Sequence, residues 1–235
     1  MKMQNNIKKL IGTLFFLILV SCTCVPDIDT PKEIKPSESA KIQFINANTD
    51  FTETDIYSSE IAILKKLSYF WFNTNYYFIG VESTHIRLYS STPKELIYSR
   101  AISDLKKQNK YTFIFFGNSE KSSSIIMNDS IENFNSDFAY IRCVHSSIDC
   151  KPVTIRLIKD FTTSIDLEQG TASNFSESFA GNYNIEFYEQ GATKPIIRVT
   201  DVEFKNGAAY TVILKGSTNT SSENRLVCEI VELPK

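Results

Sequence analysis

The sequence has little histidine, tryptophan and glycine. It has two histidines, one tryptophan and eight glycines in 235 residues. A zinc site needs three or four nitrogen, sulfur or oxygen ligands, whereas His85 and His145 lie 60 residues apart. The sequence contains no Gly-x-Ser-x-Gly, His-Glu-x-x-His or glycine-rich phosphate-binding motif. We therefore expect a protein that is not an enzyme, with no metal site and no cofactor.

The chain also lacks a strongly basic block and a long hydrophobic run. Its formal net charge is −2, and removing residues 1–21 with their three lysines lowers it to −5. This charge argues against nucleic acid and anionic lipid as partners. The longest apolar run, Leu10–Val20, has 11 residues, fewer than the ~20 that a membrane-spanning helix needs.

That apolar run is typical of a secretory signal. Three lysines precede it, and it leads into Leu19-Val20-Ser21-Cys22. A small residue followed directly by cysteine resembles the lipobox of bacterial lipoproteins, in which the cysteine thiol receives a diacylglyceryl group and becomes the acylated N-terminus. The alternative is an ordinary signal peptide with a chance cysteine. We expect residues 1–21 to be a lipoprotein signal peptide and Cys22 to be the lipid attachment site.

The residues after Cys22 predict which membrane holds the anchor and how the anchor is connected to the folded part of the chain. Thr23 is not an aspartate of the kind associated with inner-membrane retention, which favours the outer membrane. Residues 22–39 contain three prolines and little apolar content, so they cannot bury enough surface to offset the entropy of ordering. We expect a disordered tether there, and a protein held in the cell envelope at its periplasmic face or on the cell surface.

Beyond the tether the chain repeats itself at an offset of 99 residues. This offset holds from the start of each unit to near its end and predicts two homologous domains, residues 40–130 and 137–235. Identical residues at this offset include Asp50 and Asp149, Tyr111 and Tyr210, and Gly117 and Gly216.

Each unit reads as a series of short strands separated by turns. His85–Tyr89 and Asn184–Tyr188 alternate polar and apolar residues, whereas Tyr111–Phe116 and Tyr210–Leu214 are continuous apolar runs typical of central strands. The clearest helical candidate, Glu60–Lys66, is short. The pattern predicts an all-β protein with two tandem antiparallel β-sandwich domains, immunoglobulin-like or transthyretin-like.

Three segments of the second unit resemble the bacterial "domain of unknown function 4397" family. They are Arg142–Asp149 (RCVHSSID), Ala180–Ile185 (AGNYNI) and Asn206–Val212 (NGAAYTV). The first unit is more degenerate, with Asn46 where the family's histidine would stand, so we expect the second to match best. The resemblance implies a secreted or lipid-anchored β-sandwich, commonly in tandem, with no known catalytic chemistry.

His145 and Asp149 share one predicted turn and could suggest an acid/base pair. The interpretation that we favour is that Asp149 and the corresponding Asp50 accept hydrogen bonds from backbone amides in equivalent turns.

The segment Tyr69–Phe78 (YFWFNTNYYF) holds seven aromatics in ten residues, including the only tryptophan. We expect a hairpin that turns at Asn73–Asn75. Strand alternation would send one set of rings outward, so the candidate ligand patch is Tyr69, Trp71, Tyr76 and Tyr77. The alternative, which we favour for most of the rings, is packing in a core or between the domains.

Cysteine pairing is plausible in an exported protein. Cys143 and Cys228 lie on the first and last strands of the second unit, and both should point into its core. A disulfide between them and a pair of free thiols are equally compatible with the sequence. Cys24, on the tether, has no obvious partner.

Two functions remain open. The first is a non-catalytic, lipid-anchored envelope protein that displays two β-sandwiches for binding or scaffolding, with another envelope protein as partner. The alternative is an accessory carbohydrate-binding lipoprotein of a surface glycan-capture system, with Trp71 central to the glycan site.

Overall fold

A computed structural model of the protein describes residues 35–69, 75–82, 84–219 and 224–234. These residues form a 3₁₀ turn at Pro36–Glu38 and four β-sheets, two in each of two sandwiches. No helix in this part of the chain is long and apolar enough to cross a membrane. The predicted signal peptide, lipid attachment site and most of the tether lie outside the described residues.

The first sandwich contains strands β1 to β8. One sheet has the order β4-β1-β7-β8 and the other has the order β3-β2-β5-β6. The strands are β1 (Ser39–Asn48), β2 (Glu53–Ser58), β3 (Ile61–Ser68), β4 (Tyr77–Gly80), β5 (Thr84–Ser90), β6 (Leu96–Ile102), β7 (Lys110–Gly117) and β8 (Ser122–Asn128).

The second sandwich repeats this topology. One sheet has the order β12-β9-β16-β17, with β13 also paired to β9, and the other has the order β11-β10-β14-β15. The strands are β9 (Ala139–His145), β10 (Val153–Ile158), β11 (Thr162–Leu167), β12 (Thr171–Ala172), β13 (Ser176–Ser178), β14 (Gly181–Glu189), β15 (Ile197–Phe204), β16 (Ala209–Lys215) and β17 (Val227–Glu232).

The all-β, two-sandwich fold predicted from the sequence is confirmed, and the strand order refines it. In an immunoglobulin domain the first two strands are neighbours in one sheet. Here β1 and β2 lie in opposite sheets, as do β9 and β10, which leaves the transthyretin-like alternative. The sheets are also not wholly antiparallel, because β1 pairs with β7, and β9 with β16, in parallel.

Three apolar clusters hold the molecule together. Phe44 and Phe113 are buried in the first sandwich, and Phe187 and Phe204 are buried in the second. A third cluster joins the sandwiches where the β4-β1-β7-β8 sheet packs against the β12-β9-β16-β17 sheet. We call this contact the shared face; it contains Ile45, Ala47, Ile114, Phe116, Ile125, Val144, Ile213 and Val231.

The two sandwiches form one compact unit. The predicted division of the chain near residues 130–137 into separable domains therefore stays a prediction.

Two segments of the first sandwich differ from what the sequence suggested. Glu60–Lys66 is not helical, because Ile61–Ser68 is the edge strand β3, paired with β2. Tyr69–Phe78 is not a hairpin, because β3 and β4 lie in opposite sheets. The chain between them crosses from one sheet to the other, and Trp71 and the predicted turn residues Asn73 and Thr74 lie outside the described residues.

Candidate functional site

A buried ion pair lies at the junction of the two sandwiches. Asp129 follows β8, the last strand of the first sandwich, and Arg142 lies on β9, the first strand of the second. Arg142 Nη2 donates to Asp129 Oδ1 at 2.6 Å, and the two side chains are 2% and 1% exposed. Two buried charges are stable together only when they are paired and hydrogen-bonded.

Hydroxyl groups from both sandwiches complete the hydrogen bonding of this pair. Tyr76 and Thr112 each donate to Asp129 Oδ2 at 2.8 Å. Arg142 Nε donates to the Thr211 hydroxyl at 2.9 Å. Burial, together with the negative charge of Asp129, raises the pKa of Tyr76 well above its usual range, so Tyr76 is a neutral donor. We call these five residues the junction network.

A cleft of about 620 Å³ opens beside the junction network. Its volume lies within the range of ligand sites in proteins. Residues from both sandwiches and from the segment between them line it, including Tyr76, Lys110, Phe134, Asn206 and Leu233.

Lys110 is the charged donor at this cleft. Its Nζ lies 5.2 Å from the centre of the Tyr76 ring and donates to the carbonyl of Pro234 at 3.2 Å. Burial, followed by the charge of Lys41, lowers the pKa of Lys110. The cleft thus combines aromatic surface with a cation and polar groups, which suits the binding of a small polar molecule that carries an apolar face.

A second cleft, of about 800 Å³, lies where β8 approaches β12 and β13. Arg142 and Phe175 line it, and the Arg142 guanidinium lies 4.6 Å from the centre of the Phe175 ring. A contact of this kind stabilises a cation over a ring face. Because Arg142 lines this second cleft and Tyr76 lines the first, the junction network borders both clefts.

Three residues of the predicted aromatic patch are described, and they do not form an exposed platform; Trp71 lies outside the described residues. Tyr69 is 2% exposed; its ring centre lies 4.4 Å from Lys215 Nζ, and its carbonyl accepts a hydrogen bond from the same amine at 2.7 Å. Tyr76 belongs to the junction network. Tyr77 is half-buried, with its ring centre 6.3 Å from that of Phe44. These three rings pack within the molecule, and Tyr76 also lines the junction cleft.

The candidate disulfide does not form. Cys143 and Cys228 are free, Cys143 being buried and Cys228 half-buried. Strand β16 lies between them, because Val212 pairs with Cys143 and Leu214 pairs with Cys228. The backbones of β9 and β17 are therefore about 9.6 Å apart, twice the spacing of neighbouring strands. The Cα atoms of disulfide-bonded cysteines lie within about 7 Å of each other. Burial raises the pKa of the Cys228 thiol to about 12.

His145 and Asp149 do not face each other as an acid/base pair. The carboxylate of Asp149 accepts hydrogen bonds from the Thr218 backbone amide at 2.8 Å and from the Ser217 hydroxyl at 2.7 Å. Asp50 accepts one from the Ser119 amide at 2.9 Å, an equivalent contact at the same offset of 99 residues. The predicted role of both aspartates in equivalent turns is therefore confirmed.

These contacts also set the pKa values of the two carboxyl groups. Hydrogen bonds from Ser119 lower the pKa of Asp50, although burial opposes them. For Asp149 burial acts to raise the pKa, and the combined hydrogen bonds from Thr218 and Ser217 outweigh it and lower the pKa.

The sequence reasoning missed the junction network, although a signal for the shared face was present. Strands β7 and β16 have no polar alternation, so both of their faces were expected to be buried. Ile114 and Ile213 point away from the sandwich cores and into the shared face. Arg142 lies on the same side of β9 as Val144 and is buried there.

One protein family matches slightly less than half of the chain. The family described as "Domain of unknown function (DUF4397)" matches residues 40–156. This part of the chain resembles DUF4397. The match begins at the second residue of β1 and covers the rest of the first sandwich, the junction, β9, and β10 as far as Arg156. The expectation that the second unit would match best is therefore wrong. None of the curated proteins compared with the chain matches it.

The DUF4397 match includes both charged members of the junction network, Asp129 and Arg142, whereas Thr211 lies beyond it. The family description names no activity.

Proposed function

We propose that the protein is a non-catalytic, lipid-anchored component of the cell envelope whose two docked β-sandwiches form one binding or scaffolding unit. The observation that carries this proposal is the shared face with its buried Asp129–Arg142 pair. Two domains joined only by a flexible linker would move independently. A shared apolar face and a buried ion pair favour a fixed mutual orientation, which lets residues of both sandwiches line one cleft.

The non-catalytic part of the proposal rests on how the reactive groups are used. His145 donates to a backbone carbonyl, and Asp149 accepts from backbone and hydroxyl groups. In the described residues no group of three or more histidine, cysteine, aspartate or glutamate side chains is placed to hold a metal ion. The junction cleft, with Lys110 and Tyr76, is the place where we expect a ligand or a partner segment to bind.

The anchor is tested by metabolic labelling with a fatty acid. Cys22→Ala should leave an unprocessed precursor without label, whereas the matched control Cys24→Ala should be processed and labelled. Several acyl chains at about 0.8 kcal/mol per buried methylene make release from the bilayer negligible. Label retained by Cys22→Ala would contradict the proposal. Protease treatment of intact cells would then establish on which side of the outer membrane the protein lies.

The second candidate is the carbohydrate-binding lipoprotein. The junction cleft favours it, since an aromatic ring from Tyr76 or Phe134 beside polar donors is suited to a sugar ring. Phe134→Ala and Trp71→Ala, each examined in a glycan-array screen and a melting experiment, separate the candidates. Lost binding at an unchanged melting temperature supports the glycan function, whereas a lowered melting temperature with no array signal in the parent protein supports packing.

A further inference from the structure

The two sandwiches lie side by side with their first strands beginning at the same end. Lys110, at the start of β7, donates to the carbonyl of Pro234 near the start of β16. At the opposite end Lys215, the last residue of β16, contacts Tyr69, which follows β3. Because Ser39 begins β1, the predicted tether reaches the folded part at the first of these ends, which we call the tether end.

The exposed aromatic side chains of the described residues gather at the tether end. Phe134, Phe161 and Phe179 are 50%, 60% and 58% exposed and lie on the loops of this end. Phe78, which is 41% exposed, lies opposite Lys41 near the start of β1. The other large exposed hydrophobic residues in the described part of the chain are the aliphatic Leu96 and Ile196, on turns at the opposite end.

The phenylalanine loops are held next to one another. The rings of Phe138 and Phe179 have centres 5.6 Å apart. Lys159 Nζ donates to the carbonyl of Ala180 at 2.6 Å, which joins the turn carrying Phe161 to the segment carrying Phe179. Exposed apolar groups that cluster in this way mark interaction surfaces more often than isolated ones do.

We propose that the tether end faces the lipid bilayer and that Phe161 and Phe179 insert at the level of the lipid head groups. This inference rests on the lipid anchor at Cys22. The 13 residues from Cys22 to Ile34 can span at most about 45 Å when fully extended, so the anchor holds this end of the fold within about that distance of the membrane. Aromatic and apolar side chains bind at the boundary between head groups and acyl chains.

The charges at the tether end indicate a neutral lipid surface. The lysines at this end include Lys41, Lys106, Lys107, Lys110 and Lys159, and the carboxylates include Glu60, Glu82, Asp104, Glu132, Asp137 and Asp160. The two signs are mixed, so the loops form no basic patch that would select anionic lipid. The exposed phenylalanines supply the contact instead, and a zwitterionic bilayer is sufficient.

Bromine atoms on lipid chains quench nearby tryptophan and so test this arrangement. The lipidated full-length protein is reconstituted into phosphatidylcholine vesicles with or without brominated chains. Phe179→Trp and Phe161→Trp each add one ring at the tether end, and Ile196→Trp adds one at the opposite end as a matched control; Trp71 is common to all. We expect the fluorescence added at positions 179 and 161 to fall at least twofold in brominated vesicles, and that added at position 196 to stay unchanged.

The outcomes separate this inference from the anchor on which it rests. Vesicle-bound protein without quenching at positions 179 and 161 overturns the membrane-facing end and leaves the anchor intact. Equal quenching at position 196 also overturns it, because no end would then be preferred. A parent protein that does not float with the vesicles overturns the anchor, and the membrane-facing end with it. Quenching replaced by cross-linking between copies would identify the surface as a contact between protein molecules.

Discussion

A buried histidine in the second sandwich and a buried asparagine in the first occupy corresponding positions. Asn46 donates to the carbonyl of Phe51 at 2.7 Å, and its side-chain oxygen accepts from the Asn48 amide at 3.0 Å. His145 donates from Nε2 to the carbonyl of Lys151 at 3.0 Å, while its Nδ1 is buried without a hydrogen-bond partner. Burial lowers the pKa of His145, although its hydrogen bond to the Lys151 carbonyl opposes this.

His145 should therefore make the protein less stable in mild acid. The ordinary pKa of histidine, 6.5, applies to the unfolded chain and exceeds the folded value. As the pH falls below about 6.5 the unfolded chain takes up a proton that the folded protein resists, and one proton changes the free energy of unfolding by at most about 1.4 kcal/mol per pH unit. His145→Asn, which copies the first sandwich, should fold and lose this dependence.

Urea unfolding at pH 7.5, 6.5 and 5.5 measures the effect. The lowered pKa values of Asp50 and Asp149 add a loss of stability only near and below pH 4 in both proteins, so they do not obscure it. If the free energy of unfolding falls equally in the His145→Asn variant and the parent protein between pH 6.5 and 5.5, His145 is not the group responsible.

The sequence predicted strands correctly where the hydrophobic pattern fitted a strand and not a helix. Tyr111–Phe116 lies within β7, and Tyr210–Leu214 lies within β16. Glu60–Lys66 was the clearest helical candidate because a short apolar run fits a helix and a strand equally well, and pairing with β2 makes most of it a strand. The aromatic segment was read as a hairpin because local turn residues cannot show that the next strand pairs with β1 in the other sheet.

Two corresponding glycines end the central strands and should be equally intolerant of substitution. Gly117 and Gly216 have φ values of +110° and +95°. A Cβ at Gly117 would collide with the carbonyl oxygen of Lys121, and one at Gly216 with that of Arg225. We expect Gly117→Ala and Gly216→Ala each to cost about 2 kcal/mol or more of unfolding free energy.

Gly191→Ala is the matched control for these two variants. Its φ is also positive, at +83°, but no atom lies within 4 Å of the added Cβ, so only the backbone strain of about 1–2 kcal/mol applies. Denaturant midpoints for the three variants compare these costs. If Gly117→Ala or Gly216→Ala lowers the free energy of unfolding no more than Gly191→Ala does, the backbone at the strand ends can move to accommodate the added Cβ.

The way in which the sandwiches dock was beyond the reach of the sequence. The residues before β9 are polar, so they indicated a linker between separable domains, with Asp129 at its start. An arginine flanked by Ile141 and Cys143 fits the alternation of a half-exposed strand. Only the packing of the second sandwich against the first buries Arg142 and brings Asp129 to it, and such a contact leaves no local pattern in either segment.

A fragment of residues 136–235 tests the consequence for the whole molecule. It contains a complete sandwich core, and we expect β structure by circular dichroism. Its melting temperature should be lower than that of the full chain, because removing the first sandwich exposes Val144, Ile213 and Val231, which are fully buried in the full chain. A random-coil spectrum would show that the second sandwich does not fold alone.

Arg142→Met, made in both the fragment and the full chain, isolates the ion pair. In the full chain it leaves Asp129 charged and buried without its partner, which costs about 3–5 kcal/mol of unfolding free energy. In the fragment Asp129 is absent and position 142 is freed from the shared face, so the same change should cost less than about 0.5 kcal/mol. Equal losses in the two proteins would place the role of Arg142 inside the second sandwich, and a large loss confined to the full chain would assign it to the junction that makes the two sandwiches one unit.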